Sequence, residues 1–551
     1  MNMSALKGLG KLSLALLLAA SLNGVALAGV APVEGSAAMK SPANDAAVVA
    51  KLIGLVNNRH EKTMLGLERT INDGIVIRQS YIKDGKIIIP SEGLYTTARS
   101  SNWYPFDNEP TTMAGKSYRV IVDRYIRDVI RDVVMKKGDI ITVVSVMTPE
   151  VIYAFYAVDM IGATLNLVDP RYSVEGIHEY IEEVDSRLLI CLNVTYERCH
   201  KAEKRTNVER VLVISPADSL PLHLAIGYKL TNPDKNRYKS NVIHWKDFIA
   251  QGKDQSMNAE PYDPQHACVV VHTGGTTGSP KGVMLTDDSF NSLAHEFIAQ
   301  SNLFCRGQKL MNVMPPFIAY GYACGVHMPL VMGLHVVIIP NLDPDKLGAL
   351  IWKHKPEHMF GVPAHYQQMA ASPLLKKKKD LSFIRNYAAG GDSLPLGAEL
   401  TVNEFLKAHN VEYPLAKGYG MTEVASAATV AAGNVTKPGS VGIPMLNTVV
   451  SIFEPGTETE LPIGERGEIC ICTPTVMKGY YNKPDETDMI LRRHADGQIW
   501  AHTGDVGYMD EDGFVYLDAR IKRIIIRHDG FKVFPSMIEN VISRHPAVHQ
   551  C

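Results

Sequence analysis

The stretch from Ala267 to Ile298 constrains this chain more than any other. Residues 267–272, Ala-Cys-Val-Val-Val-His, read as a strand. It runs straight into Thr273-Gly274-Gly275-Thr276-Thr277-Gly278-Ser279-Pro280-Lys281-Gly282, and Val283-Met284-Leu285 then resumes a strand. A helix follows, with Phe290, Leu293, Ala294, Phe297 and Ile298 on one face. The glycines let the loop turn tightly and bring backbone N–H groups close to a ligand. Thr273, Thr276, Thr277 and Ser279 add hydroxyls, and Lys281 adds a positive charge. Together they suit a flexible polyphosphate. The Walker loop differs, because it closes G-K-[ST] onto a helix, whereas here Pro280 precedes the lysine and a strand follows. A Gly/Ser/Thr stretch by itself is more often a plain linker, so the ordered string carries the reading.

Around this loop the chain has an α/β rhythm. Val122, Ile126, Val129, Ile130 and Val133 recur at helical spacing, Gly138 ends that helix, and Ile140 to Val146 reads as a buried strand. Thr148 is placed to cap the next helix, with Pro149 in its first turn. Strands follow at Thr164–Val168, Arg187–Cys191 and Arg210–Ile214, which implies βαβ units and a largely parallel sheet. The length of 551 residues suggests three to four domains. Acidic and basic residues nearly cancel, 58 against 56, so nothing marks a nucleic-acid partner. The eight cysteines show no C-x-x-C pair and no disulfide framework. Cys470 and Cys472 share one face of a strand.

The N-terminus is discordant. Lys7 and Lys11 precede an apolar stretch, Leu12 to Leu22, and Ala26-Leu27-Ala28 gives an A-x-A cleavage pattern. Residues 1–28 therefore read as a signal-peptide-like segment, too short to span a bilayer. Residues 29–47 read as a linker, and the region up to 110 is poorly defined apart from a hairpin expected between Ile75–Ile77 and Lys86–Ile89 around Asp84-Gly85.

Other motifs follow the loop in order: Ala389-Gly390-Gly391-Asp392-Ser393-Leu394-Pro395, Gly418-Tyr419-Gly420-Met421-Thr422-Glu423, Gly439-Ser440-Val441-Gly442-Ile443-Pro444, Gly467-Glu468-Ile469-Cys470, Gly479-Tyr480-Tyr481-Asn482, Thr503-Gly504-Asp505 and Asp518-Ala519-Arg520. From about Ser117 onward the set resembles the adenylate-forming superfamily, and within it the acyl-CoA synthetases. The resemblance implies a large adenylation domain over 111–521, with mainly parallel sheets flanked by helices and a distorted β-barrel subdomain, then the start of a small α+β lid over 522–551.

It also implies roles. Thr273, Gly274, Gly275, Thr276, Thr277, Gly278, Ser279 and Lys281 cradle the ATP phosphates; Gly391, Asp392 and Ser393 line the adenine pocket. Tyr419, Gly420 and Met421 sit by the adenine, Thr422 contacts the α-phosphate, and Glu423 holds Mg²⁺, with Thr276 as a further metal contact. Asp505 bonds the ribose, Arg520 reaches nucleotide oxygens, and Lys522 is the hinge. Thr422, Glu423 and Lys281 are the expected catalytic residues. The reaction implied is attack of a small-molecule carboxylate on the α-phosphorus of ATP, release of pyrophosphate, then transfer of the acyl group to CoA.

The choice within the superfamily rests on finer points. Met421 gives Y-G-M-T-E, a form frequent among acyl-CoA synthetases; peptide-forming domains usually carry proline there. Amino-acid activation needs an acidic partner for the ammonium, and Pro315-Pro316-Phe317-Ile318-Ala319-Tyr320-Gly321 contains no acid. Phe317, Ile318, Tyr320, Gly361, Val362 and Pro363 are candidate acyl-pocket walls; many fatty- and aryl-acid enzymes place histidine where Ile318 sits. An adenylation enzyme feeding a carrier protein, a non-catalytic nucleotide-binding remnant and, more distantly, a luciferase-like oxygenase are the alternatives.

The resemblance breaks at the end. Only 29 residues follow Lys522, the lid's late catalytic lysine has no match, and poor adenylation by this chain is the expectation. ATP and CoA favour a cytoplasmic setting, against the leader-like start. His354-Lys355-Pro356-Glu357-His358 fits a zinc-protease pattern, but Pro356 breaks the helix that chemistry requires. The sequons at Asn193 and Asn434 read as chance.

Overall fold

A computed structural model describes residues 135, 137–220, 222–251, 260–273, 281–300, 303–521 and 542, with short strand segments elsewhere. The leader-like segment, the helix expected over 122–133, the loop residues Gly274 to Pro280 and the hinge Lys522 lie outside the described residues.

Four short strands come first: β1 (Leu67–Thr70), β2 (Gly74–Ile77), β3 (Tyr81–Lys83) and β4 (Lys86–Ile88). β1 pairs with β2 and β3 with β4, both antiparallel. The hairpin partner of Lys86–Ile88 is Tyr81–Lys83, not Ile75–Ile77; Asp84 and Gly85 lie outside the described residues. Pairing starts at Lys83 with Lys86, and so short a connection joins adjacent strands rather than one farther back.

The chain forms two compact units: one reaches Val269 and adds Phe304–Gly307 and His327–His335, and the other holds the remainder. The first contains β5 (Ile140–Val144), β6 (Thr164–Val168), β7 (Leu188–Leu192), β8 (Arg210–Ile214) and β9 (Val242–His244), in the order β6-β5-β7-β8-β9. All are parallel. β6 and β7 are buried at every residue, as strands covered on both faces must be. The helix Pro149–Met160 is capped as its sequence dictates, the Thr148 hydroxyl accepting from the Val151 N–H.

The chain crosses into the second unit within β10 (Ala267–Thr273), which pairs with β11 (Lys281–Thr286). The helix Asp287–Gln300 then buries the apolar stripe read from the sequence. A seven-stranded sheet follows: β12 (Lys309–Asn312), β13 (His335–Ile338), β14 (His358–Gly361), β15 (Asn386–Ala389), β16 (Ala416–Tyr419), β17 (Thr429–Ala431) and β18 (Ile443–Pro444), ordered β13-β12-β14-β15-β16-β17-β18. β12, β14, β15 and β16 are parallel. In such sheets ligands gather beyond the carboxyl ends of the strands, and the Gly361, Gly390-Gly391 and Gly420 segments all lie there. The H-x-x-E-H string is no single helix: the helix Leu347–His354 ends on left-handed Lys355, and His358 opens β14.

The last sheet contains β19 (Val449–Phe453), β20 (Gly467–Cys472), β22 (Leu491–Arg493), β23 (Ile499–Met509) and β24 (Val515–Arg520), all antiparallel. β21 (Gly479–Tyr480) lies between them in sequence and pairs instead with β11. The distorted barrel expected here is, among the described residues, an open sheet. Strand β23 is long enough for β22 to pair with its start and β24 with its end, while β19 pairs with β20 alone, so no ladder closes the ring. Two register shifts, at Glu468/Cys470 and Val506/Gly507, re-aim the side chains next to the Thr503–Asp505 motif.

Candidate active site

A cavity of about 800 Å³ opens in the second unit. Its wall is contributed by segments that are far apart in sequence: His272 and Thr273 from β10, Lys281 from β11, Gly390 and Gly391 after β15, Gly418 with Gly420 to Glu423 around β16, Thr503 and Gly504 from β23, and Arg520 from β24. Lys281, Gly391, Gly420, Met421, Thr422, Glu423 and Arg520 of the sequence-derived set therefore meet in one place, with Thr273. Tyr419 and Asp505 are not wall residues. They adjoin it, each next in sequence to the wall residues Gly418, Gly420 and Gly504, and the Tyr419 hydroxyl donates to Asp505 Oδ2 at 2.8 Å. Asp392 and Ser393 are exposed beside the wall, the Asp392 carboxylate accepting from the Ser393 N–H.

Two glycines are required by space. A Cβ on Gly420 would lie 2.1 Å from the Ser426 carbonyl oxygen, and one on Gly321 would lie 1.9 Å from that of Pro315. Gly321 sits in a π-helical segment, Tyr320–His327, a winding frequently found at functional sites and invisible to a 3.6-residue periodicity.

Charges are arranged along the wall. Arg520 Nε donates to Asp505 Oδ1 at 2.8 Å, so both Asp505 oxygens are engaged. Burial nonetheless raises the Asp505 carboxyl above its ordinary value, against the pull of Arg520. Glu423 is buried, and its Oε1 accepts from the Tyr480 hydroxyl at 2.7 Å. Burial, then the Glu423 charge, raises the Tyr480 phenol. Lys281 stands over the Tyr480 ring, 4.8 Å from its centroid, and is ion-paired with Glu486. For Mg²⁺, Glu423 supplies a hard carboxylate oxygen on the cavity wall, the donor type that ion takes together with substrate phosphates. Thr276 lies outside the described residues.

Among the wall residues that sequence reasoning missed, three carry a titratable group that bears on the charges here: Lys417, Glu486 and His272. Lys417 had a signal, a lone lysine inside the apolar run that leads into Tyr419. Its Nζ donates to Glu399 Oε1 at 2.6 Å and to the Lys437 carbonyl at 2.8 Å. Glu486 had none, because pairing with Lys281 depends on β21 lying beside β11. Glu486 holds the cation expected to meet polyphosphate. Glu486→Gln is expected to lower the apparent KM for ATP about 1.5- to 5-fold, the range for a partly exposed pair; steady-state kinetics checks this, and a raised KM contradicts it. His272 is pushed down to about 4 by burial, with Lys483 adding to the effect. Between the ordinary histidine value and that one the unfolded chain binds more protons, so stability falls as pH falls. The urea midpoint is expected to be lower at pH 5 than at pH 7, and His272→Gln is expected to flatten the difference.

Of the acyl-pocket candidates, Ile318, Tyr320 and Val362 line the cavity; Phe317 and Gly361 do not. Gly361 acts through its backbone, its carbonyl accepting from the Gly390 N–H at 3.0 Å. Tyr320 is fixed by donating to the Ala388 carbonyl at 3.1 Å. Met314, Phe297 and Phe360 make this part of the wall apolar.

Residues 128–481 match the family described as AMP-binding enzyme. A long-chain-fatty-acid–CoA ligase of Bacillus subtilis (strain 168) is 32% identical over 428 residues, covering 76% of this chain and 73% of that protein. Probable 4-coumarate–CoA ligase 1 of Dictyostelium discoideum is 30% identical over 79% of this chain and 78% of its own length. Among solved structures, ATP-bound MatB from Rhodopseudomonas palustris superposes with a TM-score of 0.67 at 22% identity, covering 79% of this chain and 80% of that one. The anthranilate CoA ligase AuaEII in complex with anthranoyl-AMP gives 0.69 at 18%, covering 83% and 84%. The chain belongs to the AMP-binding enzyme family.

Proposed function

We propose that this chain is an AMP-forming acid–thiol ligase that activates a carboxylic acid with ATP and passes the acyl group to CoA. The observation that carries the reading is the convergence of Thr273, Lys281, Gly391, Thr422, Glu423 and Arg520 on one cavity that is apolar at its Ile318–Val362 side. A carboxylate expels oxide poorly, and adenylation gives it a competent leaving group. The carboxylate oxygen attacks the α-phosphorus and pyrophosphate departs; a thiolate then attacks the acyl carbon and AMP departs. Both steps are mainly a matter of positioning and of positive charge near developing anions. Lys281 serves the departing phosphates, Thr422 the α-phosphate and Arg520 the nucleotide, while Asp505, aligned by Tyr419, takes the ribose. Mg²⁺ held by Glu423 offsets charge on the phosphates when bound. The apolar wall suits a fatty or aryl acid and offers an ammonium no dedicated partner around Ile318. Action in the cytoplasm, where ATP and CoA reside, is part of the same proposal.

The test is ATP–pyrophosphate exchange with a panel of fatty, aryl and amino acids, followed by mass detection of thioester with CoA or a carrier protein. Exchange with an apolar acid and a CoA thioester supports the reading. Exchange that proceeds only with amino acids, or a thioester formed only on the carrier, contradicts it.

A further inference from the structure

Next to the Thr503–Asp505 segment of β23 lies a second polar cluster that takes no part in the chemistry above. Glu468 and Cys470 are two residues apart on β20 and side by side; His502 is the cross-strand partner of Cys470 on β23. All three are buried, Cys470 and His502 almost completely. Their donor atoms converge: Cys470 Sγ lies 3.4 Å and Glu468 Oε2 3.0 Å from the same atom, His502 Nδ1. One Nδ1 proton serves only one of those neighbours. If it points at the carboxylate, the thiol is left beside the ring without a bond to it; if the thiol donates to Nδ1, a nitrogen lone pair faces an anionic oxygen. With His502 protonated at Nε2, its Nδ1, the Cys470 sulfur and a Glu468 oxygen are three lone-pair donors within 4.8 Å of one another in a buried setting, an arrangement that a cation fills.

We propose that Glu468, Cys470 and His502 are ligands to a single zinc-class divalent cation. Thiolate, imidazole and carboxylate are the zinc donor set, and a thiolate and a carboxylate balance a 2+ ion with neutral imidazole, so the loaded site carries no net charge. Binding releases the thiol proton. The far side of the imidazole is already provided for. His502 Nε2 lies 2.9 Å from Nε2 of the buried His494, so with metal on Nδ1 the Nε2–H donates to His494. The ladder register fixes two of the ligands before metal arrives, and Phe453 and Trp500 wall off Cys470. The other Glu468 oxygen accepts from the Gly504 N–H at 3.1 Å, which ties the site to the part of β23 that lines the cavity.

The test uses the full chain, freed of metal with a chelator and titrated with Co²⁺ alone. The expected result is one equivalent bound, with a thiolate-to-cobalt charge-transfer band that disappears in Cys470→Ser and persists in Cys472→Ser. His494→Phe is expected to weaken Co²⁺ binding about 10- to 100-fold. Should Cys470→Ser fail to fold, X-ray absorption on the zinc-loaded wild-type chain decides: one sulfur near 2.3 Å with nitrogen or oxygen near about 2.0–2.1 Å supports the site. No charge-transfer band in the wild type, a band that survives Cys470→Ser, or a zinc shell of nitrogen and oxygen only overturns it.

Discussion

Glu423→Gln is expected to lower acid-dependent pyrophosphate release about 10²- to 10³-fold, the scale for removing one charge-stabilising group from a preorganised site. The substitution keeps the shape and the acceptor oxygen that Tyr480 uses at 2.7 Å, so packing around β16 and β21 is preserved. It removes only the negative charge. The effect should therefore sit in turnover rather than stability: the thermal midpoint is expected to stay near that of the parent while ATP–pyrophosphate exchange collapses. Loss of exchange together with folding would assign Glu423 a structural part instead.

The largest stability effect is expected at Lys417→Met. Lys417 and Glu399 form an ion pair with side chains only 5% and 2% exposed. Burial pulls the lysine below its ordinary value, and Glu399 partly restores it. Removing the lysine alone strands a buried carboxylate, at a cost of about 3–5 kcal/mol. Lys417→Met with Glu399→Leu should recover most of that, though not all, because Glu399 also accepts from the Gly439 N–H at 3.0 Å. Chemical denaturation of the two single variants and the double variant measures the coupling. A single-variant loss below about 1 kcal/mol would show that water reaches the pair.

How much of this was legible in the sequence varies with the kind of interaction. Four of the five parallel strands of the first unit were readable, β5 to within two residues and β6, β7 and β8 to within one, because strands buried on both faces are continuous apolar runs; β9, only three residues long and half-exposed, left no such run. The Thr148 cap and the stripe on Asp287–Gln300 were readable for the same local reason. The site was half readable. Glycine-rich turns at strand ends announce themselves, and Gly391, Gly420, Thr422 and Glu423 reached one cavity. Long-range partnerships do not announce themselves: Tyr480 on Glu423, Glu486 on Lys281 and Glu399 on Lys417 depend on how segments distant in sequence pack together. The expected barrel failed similarly, since alternation identifies antiparallel strands but says nothing of whether the last one closes onto the first. Tyr419 is the instructive case: neither of the two motifs involved shows that its hydroxyl donates to Asp505.

The claim on which the rest depends is that one cavity of the second unit takes the nucleotide. Photolabelling the full chain with an azido-adenine analogue of ATP, then mapping the modified peptides, tests it directly. Labels are expected in peptides containing Gly390–Asp392 and Gly418–Thr422, suppressed by excess ATP. ATP-suppressible labels confined to residues 140–250, or none that ATP suppresses, would contradict it.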